Sequence, residues 1–138
     1  MLGAATCHTY SKSQAVIALS SGEAEYYGFV SASSASLGLQ SALKDWGWHF
    51  SIQILMDASA GIAIGSRRGL GKTKHIDTVF LWAQELVTNK KVRLTKRKTG
   101  EMLADFLTKN VEANNMHRCM AGLNLHFRKG QSRLALKA

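Results

Sequence analysis

The sequence contains no proline, so its breaks must be read from glycine, serine and charge. Cysteine is equally scarce. Cys7 and Cys119 make neither a disulfide framework nor a zinc-ligand spacing, and the expectation is two buried free thiols. Long apolar runs are missing too: "AVIAL" and "IQILM" are far too short to span a bilayer, and the opening "MLGAATC" lacks a signal-peptide pattern. These absences predict no membrane partner and an intracellular location, cytoplasmic or nuclear. Acids are few: nine Asp and Glu stand against 18 Lys and Arg, for a net charge of +9.

What is present is a globular composition. Of the 138 residues, 46% are apolar and 20% charged, which suits a domain of ordinary size with one core. The basic residues cluster. "KKVRLTKRK" places Lys90, Lys91, Arg93, Lys96, Arg97 and Lys98 together without an acid, and nothing acidic follows Glu112. Such a stripe is either a footprint for a polyanion, whose counterions are released on binding, or a solvated surface. No aromatic residue interrupts the run, so base stacking is not indicated there.

The apolar pattern predicts β, α, β, α, α, β, α. Residues 5–19 have strand composition and lead into "SSGEAE", where Ser20 or Ser21 can cap a helix over about residues 22–45. "SIQILMD" reads as a strand buried on both faces, followed by a short helix in "ASAGIAIGS". Residues 72–87 carry apolar positions at helical spacing, and "KVRLTKR" alternates as a half-exposed strand. Thr99 can cap a helix holding Met102, Leu103, Phe106 and Leu107, and "NNMHRCMAGLNLHF" can hold another before a frayed basic tail. Alternation of this kind points to an α/β sheet covered by helices. The division expected is a main domain over residues 1–112, then a C-terminal helix and basic tail over 113–138.

With only nine acids, each can be weighed singly. Glu23 and Glu25 lie about 200° apart on a helix and face different ways. Glu25 shares a stripe with Phe29, Ala32, Leu39 and Leu43 and is the one expected to point inward. It then either meets a cation or donors, or reaches water and amides at the helix start. Glu23 is expected to be a first-turn acid favoured by the helix dipole. Asp57 ends a strand, where α/β folds line their ligand crevices, but it also precedes a helix it can cap. Asp105 is either a solvated helix acid or part of a site. Converging carboxylates would suit Mg²⁺ and phosphodiester hydrolysis. The tryptophans Trp46, Trp48 and Trp82 are expected to pack in the core or at helix ends, not to stack on bases.

The same residues carry a resemblance. "SKSQAVIALSSGEAEYYG", "LMDASAGIAIG", "GKTKHID" and "GEMLADFLTK" follow one another as in the ribonuclease H domain at the end of Copia-type (Pseudoviridae-like) retrotransposon Pol polyproteins. That family carries a Ser-Ser-x-Glu-Ala-Glu-Tyr helix start, a Cys-Asp-Asn strand end, a Thr-Lys-His-Ile block and a Leu-Ala-Asp-x-Leu-Thr-Lys helix. The likeness covers about residues 10–125 in order. It implies a ribonuclease H-like mixed sheet flanked by helices. It also implies two-metal hydrolysis of the RNA strand of RNA–DNA hybrids, with Mg²⁺ or Mn²⁺ held by four carboxylates. By motif, Glu25, Asp57 and Asp105 would be three of these, and His75 would either approach a phosphate or sit structurally at a helix start. The partners implied are the hybrid, gripped by the basic run, and an upstream reverse transcriptase part of a polyprotein, with a virus-like particle as a further location.

The sequence also departs from the family. The family's first carboxylate is an Asp on an opening strand, and no acid precedes Glu23 here. The expectation is a fold lacking its first strand and much of its second, and a chain that by itself is a weak nuclease or none. Cys-Asp-Asn is replaced by Met56-Asp57-Ala58, and Thr-Lys-Pro by Thr108-Lys109-Asn110. A non-catalytic nucleic-acid-binding relic or domesticated fragment of the same fold is the alternative. A basic α/β protein with no tie to nucleic acid is the third reading.

Overall fold

The computed structural model describes residues 1–3, 5–69, 80–107 and 110–126, with only the backbone at 106 and 107. They form two compact units, Ser13–Met102 and Met1–Lys12 with Leu103–Ala138. His75 and the rest of its "TKHID" block lie outside the described residues, as does the tail beyond residue 126.

In the unit Ser13–Met102, helix α1 spans Ser21–Asp45. Ser20 caps it in extended conformation, its side chain accepting from the Glu23 N–H at 3.2 Å. At the other end Gly47 takes φ +82, and the Gly47 and Trp48 N–H groups bond back to the Lys44 and Leu43 carbonyls at 2.9 and 3.0 Å. This left-handed cap is why "WGW" stops the helix: glycine adopts that backbone without a Cβ clash. Trp46 and Trp48 follow the helix end, but they are exposed, not core-packed.

Strand β1 (Ile52–Met56) pairs in parallel with β2 (Val92–Lys96), from Ile52↔Val92 to Met56↔Lys96. Parallel neighbours need a long crossover. Here it includes α2 (Ser59–Ser66) and α3 (Trp82–Thr88). Of the helix expected over residues 72–87, residues 82–87 fall in α3, Phe80 and Leu81 precede it without being α-helical, and residues 72–79 lie outside the described residues. Ile54, Met56 and Val92 join Tyr26, Phe29, Val30, Ile64 and Ala83 in one core. Gln53, Leu55 and Arg93 are exposed on the other face, where the Gln53 amide donates to Thr95 Oγ1 at 2.8 Å. β1 is therefore buried on one face, not two. Its apolar composition anticipates a cover that the described residues do not place over Leu55.

The strand expected within residues 5–19 does not form, apart from an isolated Leu2↔Ala5 bridge at its margin. Ile17 and Leu19 are 88% and 72% exposed. Strand-forming composition is not enough, because extended backbone needs a neighbouring edge to bond.

Tyr26 is fully buried and donates from its hydroxyl to the Phe80 carbonyl at 2.7 Å. Burial pushes its phenol up to about 12, against the opposing pull of the Arg67 charge. The unfolded phenol ionises near its ordinary value of 10, two units lower. Stability held by neutral Tyr26 is thus intact below pH 10 and is lost as pH rises toward 12. Urea midpoints are expected to fall as pH rises from 10 toward 12, with a flatter profile in Tyr26→Phe.

The unit Met1–Lys12 with Leu103–Ala138 holds a 3₁₀ segment, Leu103–Leu107, and helix α4, Ala113–Gly122. They pack closely: a Cβ on Gly122 would lie 2.8 Å from Leu103 Cδ2. The Thr6 hydroxyl donates to the Leu123 carbonyl at 2.5 Å. Cys119 is buried as expected, whereas Cys7 is exposed. The helix expected after Thr99 is instead two 3₁₀ pieces, Thr99–Glu101 and Leu103–Leu107. Met102 between them is extended (φ −74, ψ 109), which breaks the helical ladder, and Thr99 lies inside the first piece. Among the described residues no helix is long and apolar enough to cross a membrane.

Candidate carboxylate site

The helix start "SSGEAE" sorts its glutamates differently from the periodicity argument. Glu23 is the buried one, only 1% exposed, and Glu25 is half-buried. The Glu23 carboxylate accepts from the Leu19 N–H at 3.0 Å and from the Tyr27 hydroxyl at 2.7 Å. With Ser20 accepting from the Glu23 N–H, this is a capping box reaching back one residue further than usual. Glu23 does lie in the first turn, but its carboxylate is structural. The buried stripe of α1 runs through Glu23, Tyr26, Tyr27, Val30 and Ser33, and Glu25 sits at its edge. The Ser20-x-x-Glu23 spacing was the available signal for this.

Glu25 is positioned by a close helix approach. Gly61, in the first turn of α2, packs so tightly that a Cβ there would lie 2.7 Å from Glu25 Cβ and 2.8 Å from Met56 Cε. A Cβ on Gly22 would likewise meet Ala60 Cβ at 2.7 Å. The chain reaches this turn directly from Met56 and Asp57 at the end of β1. Glu25 and Asp57 are thus brought to the same end of the unit. Asp57 is half-buried, and the residue in the cap position of α2 is Ala58, not Asp57.

Basic side chains from β2 share that end. Parallel register sets Lys96 opposite Met56, and its ammonium donates to Ser59 Oγ at the start of α2. The Arg97 N–H donates to the Met56 carbonyl at 2.8 Å, and its guanidinium pairs with Glu101 at 3.5 Å. An exposed pair of this kind adds about 0–1 kcal/mol and leaves the charge accessible to an anion. Lys90, Lys91, Arg93, Lys96, Arg97 and Lys98 are all exposed. Lys90 adopts φ +56 in the turn that ends α3. Sequence reading grouped these residues by charge. It missed that Lys96, from the covered face of the strand, engages the first residue of α2.

Asp105 lies in the 3₁₀ segment Leu103–Leu107 of the other unit and is half-buried. Among the described residues no group of three or more His, Cys, Asp or Glu is gathered to hold a metal ion. The donor type nevertheless fits a hard cation. Glu25 and Asp57 offer carboxylate oxygens at a strand end, as Mg²⁺ or Mn²⁺ prefers when waters and a substrate phosphate complete its shell.

Comparison with known proteins gives one informative likeness. The chain is 30% identical over 118 residues to the "Retrovirus-related Pol polyprotein from transposon TNT 1-94" of Nicotiana tabacum, covering 84% of the chain. It spans only 9% of that polyprotein's length. No protein-family model matches the chain, and no solved structure matches it significantly.

Proposed function

Starting from this homology to a retrotransposon Pol polyprotein, we propose that the chain is the ribonuclease H region of such a polyprotein, with Glu25, Asp57 and Asp105 among its metal-holding carboxylates. The observation that carries the reading is the Gly61 approach, which sets Glu25 against the turn that follows Asp57. A bound divalent ion there would activate water and neutralise charge on the scissile phosphate. The chain's own residues do the rest. Glu25 and Asp57 would hold the ion, and Lys96 and Arg97 would draw the phosphate backbone toward the strand ends. Lys90, Lys91, Arg93 and Lys98 extend that attraction without reading sequence.

The test is cleavage of a labelled RNA–DNA hybrid in Mg²⁺ or Mn²⁺. RNA-strand scission is expected to be weak with the chain by itself and stronger when upstream Pol sequence is joined to it. Asp57→Asn is expected to lower the rate about 10²–10³-fold, the scale for losing one group that stabilises transition-state charge. Cleavage that survives Asp57→Asn would overturn the carboxylate assignment.

One observation favours a second reading. Lys90, Lys91, Arg93, Lys96, Arg97 and Lys98 are all exposed, so the basic run can meet a polyanion whether or not the carboxylates act. A non-catalytic module that grips hybrid through the basic run would show salt-dependent binding and no cleavage in either context.

A further inference from the structure

The other end of α1 carries a surface that the carboxylate reading leaves unused. Trp46 is 77% exposed and Trp48 61% exposed, and both sit just beyond the helix end. Indole rings this open are unusual on a soluble surface, where large apolar groups mark contact sites when they cluster. Trp48 does so with Phe50. The Trp48 and Phe50 rings are parallel within 5°, their centroids 6.1 Å apart. A groove of about 410 Å³ runs beside them, lined among others by Gln40, Lys44, Trp48, His49 and Phe50. No acid lines it. Asp45, in the last turn of α1, is the one acid in residues 37–50.

The local backbone is built to hold this arrangement. The left-handed Gly47 turns the chain so that Trp46 and Trp48 flank it, and the Gln40 amide donates to the Phe50 carbonyl at 2.5 Å. The aromatic group is therefore fixed on both sides of the turn. Flat rings open to solvent, a lysine and a histidine beside them, and a chain of net charge +9 are complementary to bases on a phosphate backbone. They complement an acidic, unpaired strand better than a neutral protein surface. A duplex buries its base faces in its own stack, so a single strand is the form these rings can reach.

We infer that Trp46, Trp48 and Phe50, with Lys44 and His49, form a stacking platform for single-stranded nucleic acid at the C-terminal end of α1. From Glu25 to Trp46 the helix rises about 30 Å, so this platform is separate from the carboxylate end and does not depend on it. It would hold an unpaired strand while the carboxylate end faces a hybrid.

The experiment is a fluorescence titration of the full chain with a twelve-nucleotide oligothymidylate. Tryptophan emission is expected to be quenched on binding, with an affinity that falls as salt rises. The double variant Trp46→Ala/Trp48→Ala is expected to bind at least tenfold more weakly, and Trp48→Phe to retain most of the affinity because it keeps a ring. Far-UV circular dichroism on each variant checks that the fold is kept. Asp57→Asn is expected to quench like the wild type, which separates this site from the nuclease reading. Unchanged binding by a folded double variant would overturn the platform. So would a self-associating wild type that becomes monomeric in the double variant and shows no oligonucleotide quench.

Discussion

Glu23→Ala is expected to lower the unfolding free energy by about 3 kcal/mol, the loss of two hydrogen bonds to a charged group at roughly 1.5 kcal/mol each. Those bonds come from the Leu19 N–H and the Tyr27 hydroxyl, and both meet a carboxylate that is 1% exposed. Removing it strips the capping box and takes a partner from the Tyr27 hydroxyl, which packs edge-on to Phe80 at 4.9 Å. Urea unfolding followed by circular dichroism reads the change. In a double-mutant cycle with Tyr27→Phe the two losses should fall short of additive, because they share one bond. Glu25→Gln is the counterpart. It is half-buried and the substitution is isosteric, so its stability should stay within about 1 kcal/mol. Hybrid cleavage should nevertheless be lost. A reversed order of the two stabilities would overturn the division of labour between these glutamates.

Gly61→Val is expected to cost about 3 kcal/mol, the upper end of what overpacking a tight interface does. Its first added carbon would already lie 2.7 Å from Glu25 Cβ and 2.8 Å from Met56 Cε. Met56 has a flexible end that can move, but Glu25 Cβ is tied to the backbone of α1. The helices must therefore separate, and that separation shifts Glu25 relative to Asp57. Even Gly61→Ala should destabilise, although glycine to alanine in a helix ordinarily stabilises by about 1 kcal/mol. Gly28→Ala is the control, since a Cβ there meets nothing within 4 Å, and it should show the ordinary gain. If Gly61→Ala stabilises as Gly28→Ala does, the close approach of α1 and α2 is wrong.

The sequence carried most of the local architecture. Ser20 and Gly47 bracket α1 to within one residue of its expected span, because caps and left-handed turns are made by neighbours a few positions apart. β1, α2, β2 and α4 also lie where composition and period place them. What failed was whatever depends on a distant partner. Residues 5–19 have strand composition but, among the described residues, no strand ladder beyond the isolated Leu2↔Ala5 bridge, and the helix expected after Thr99 breaks at an extended Met102.

The same boundary runs through the candidate site. By itself the sequence singled out a handful of acids and a basic run as candidates for chemistry, and it read the tryptophans as packing residues. It also determined where each sits along its own element. Only the tertiary structure decided which glutamate is buried, that Gly61 brings Glu25 to the Asp57 end, that Lys96 engages α2, and that Trp46 and Trp48 face solvent. The physical reason is range. Hydrogen bonds of caps and turns close within a few residues, whereas burial and convergence are fixed by which faces of α1, α2 and the parallel pair meet.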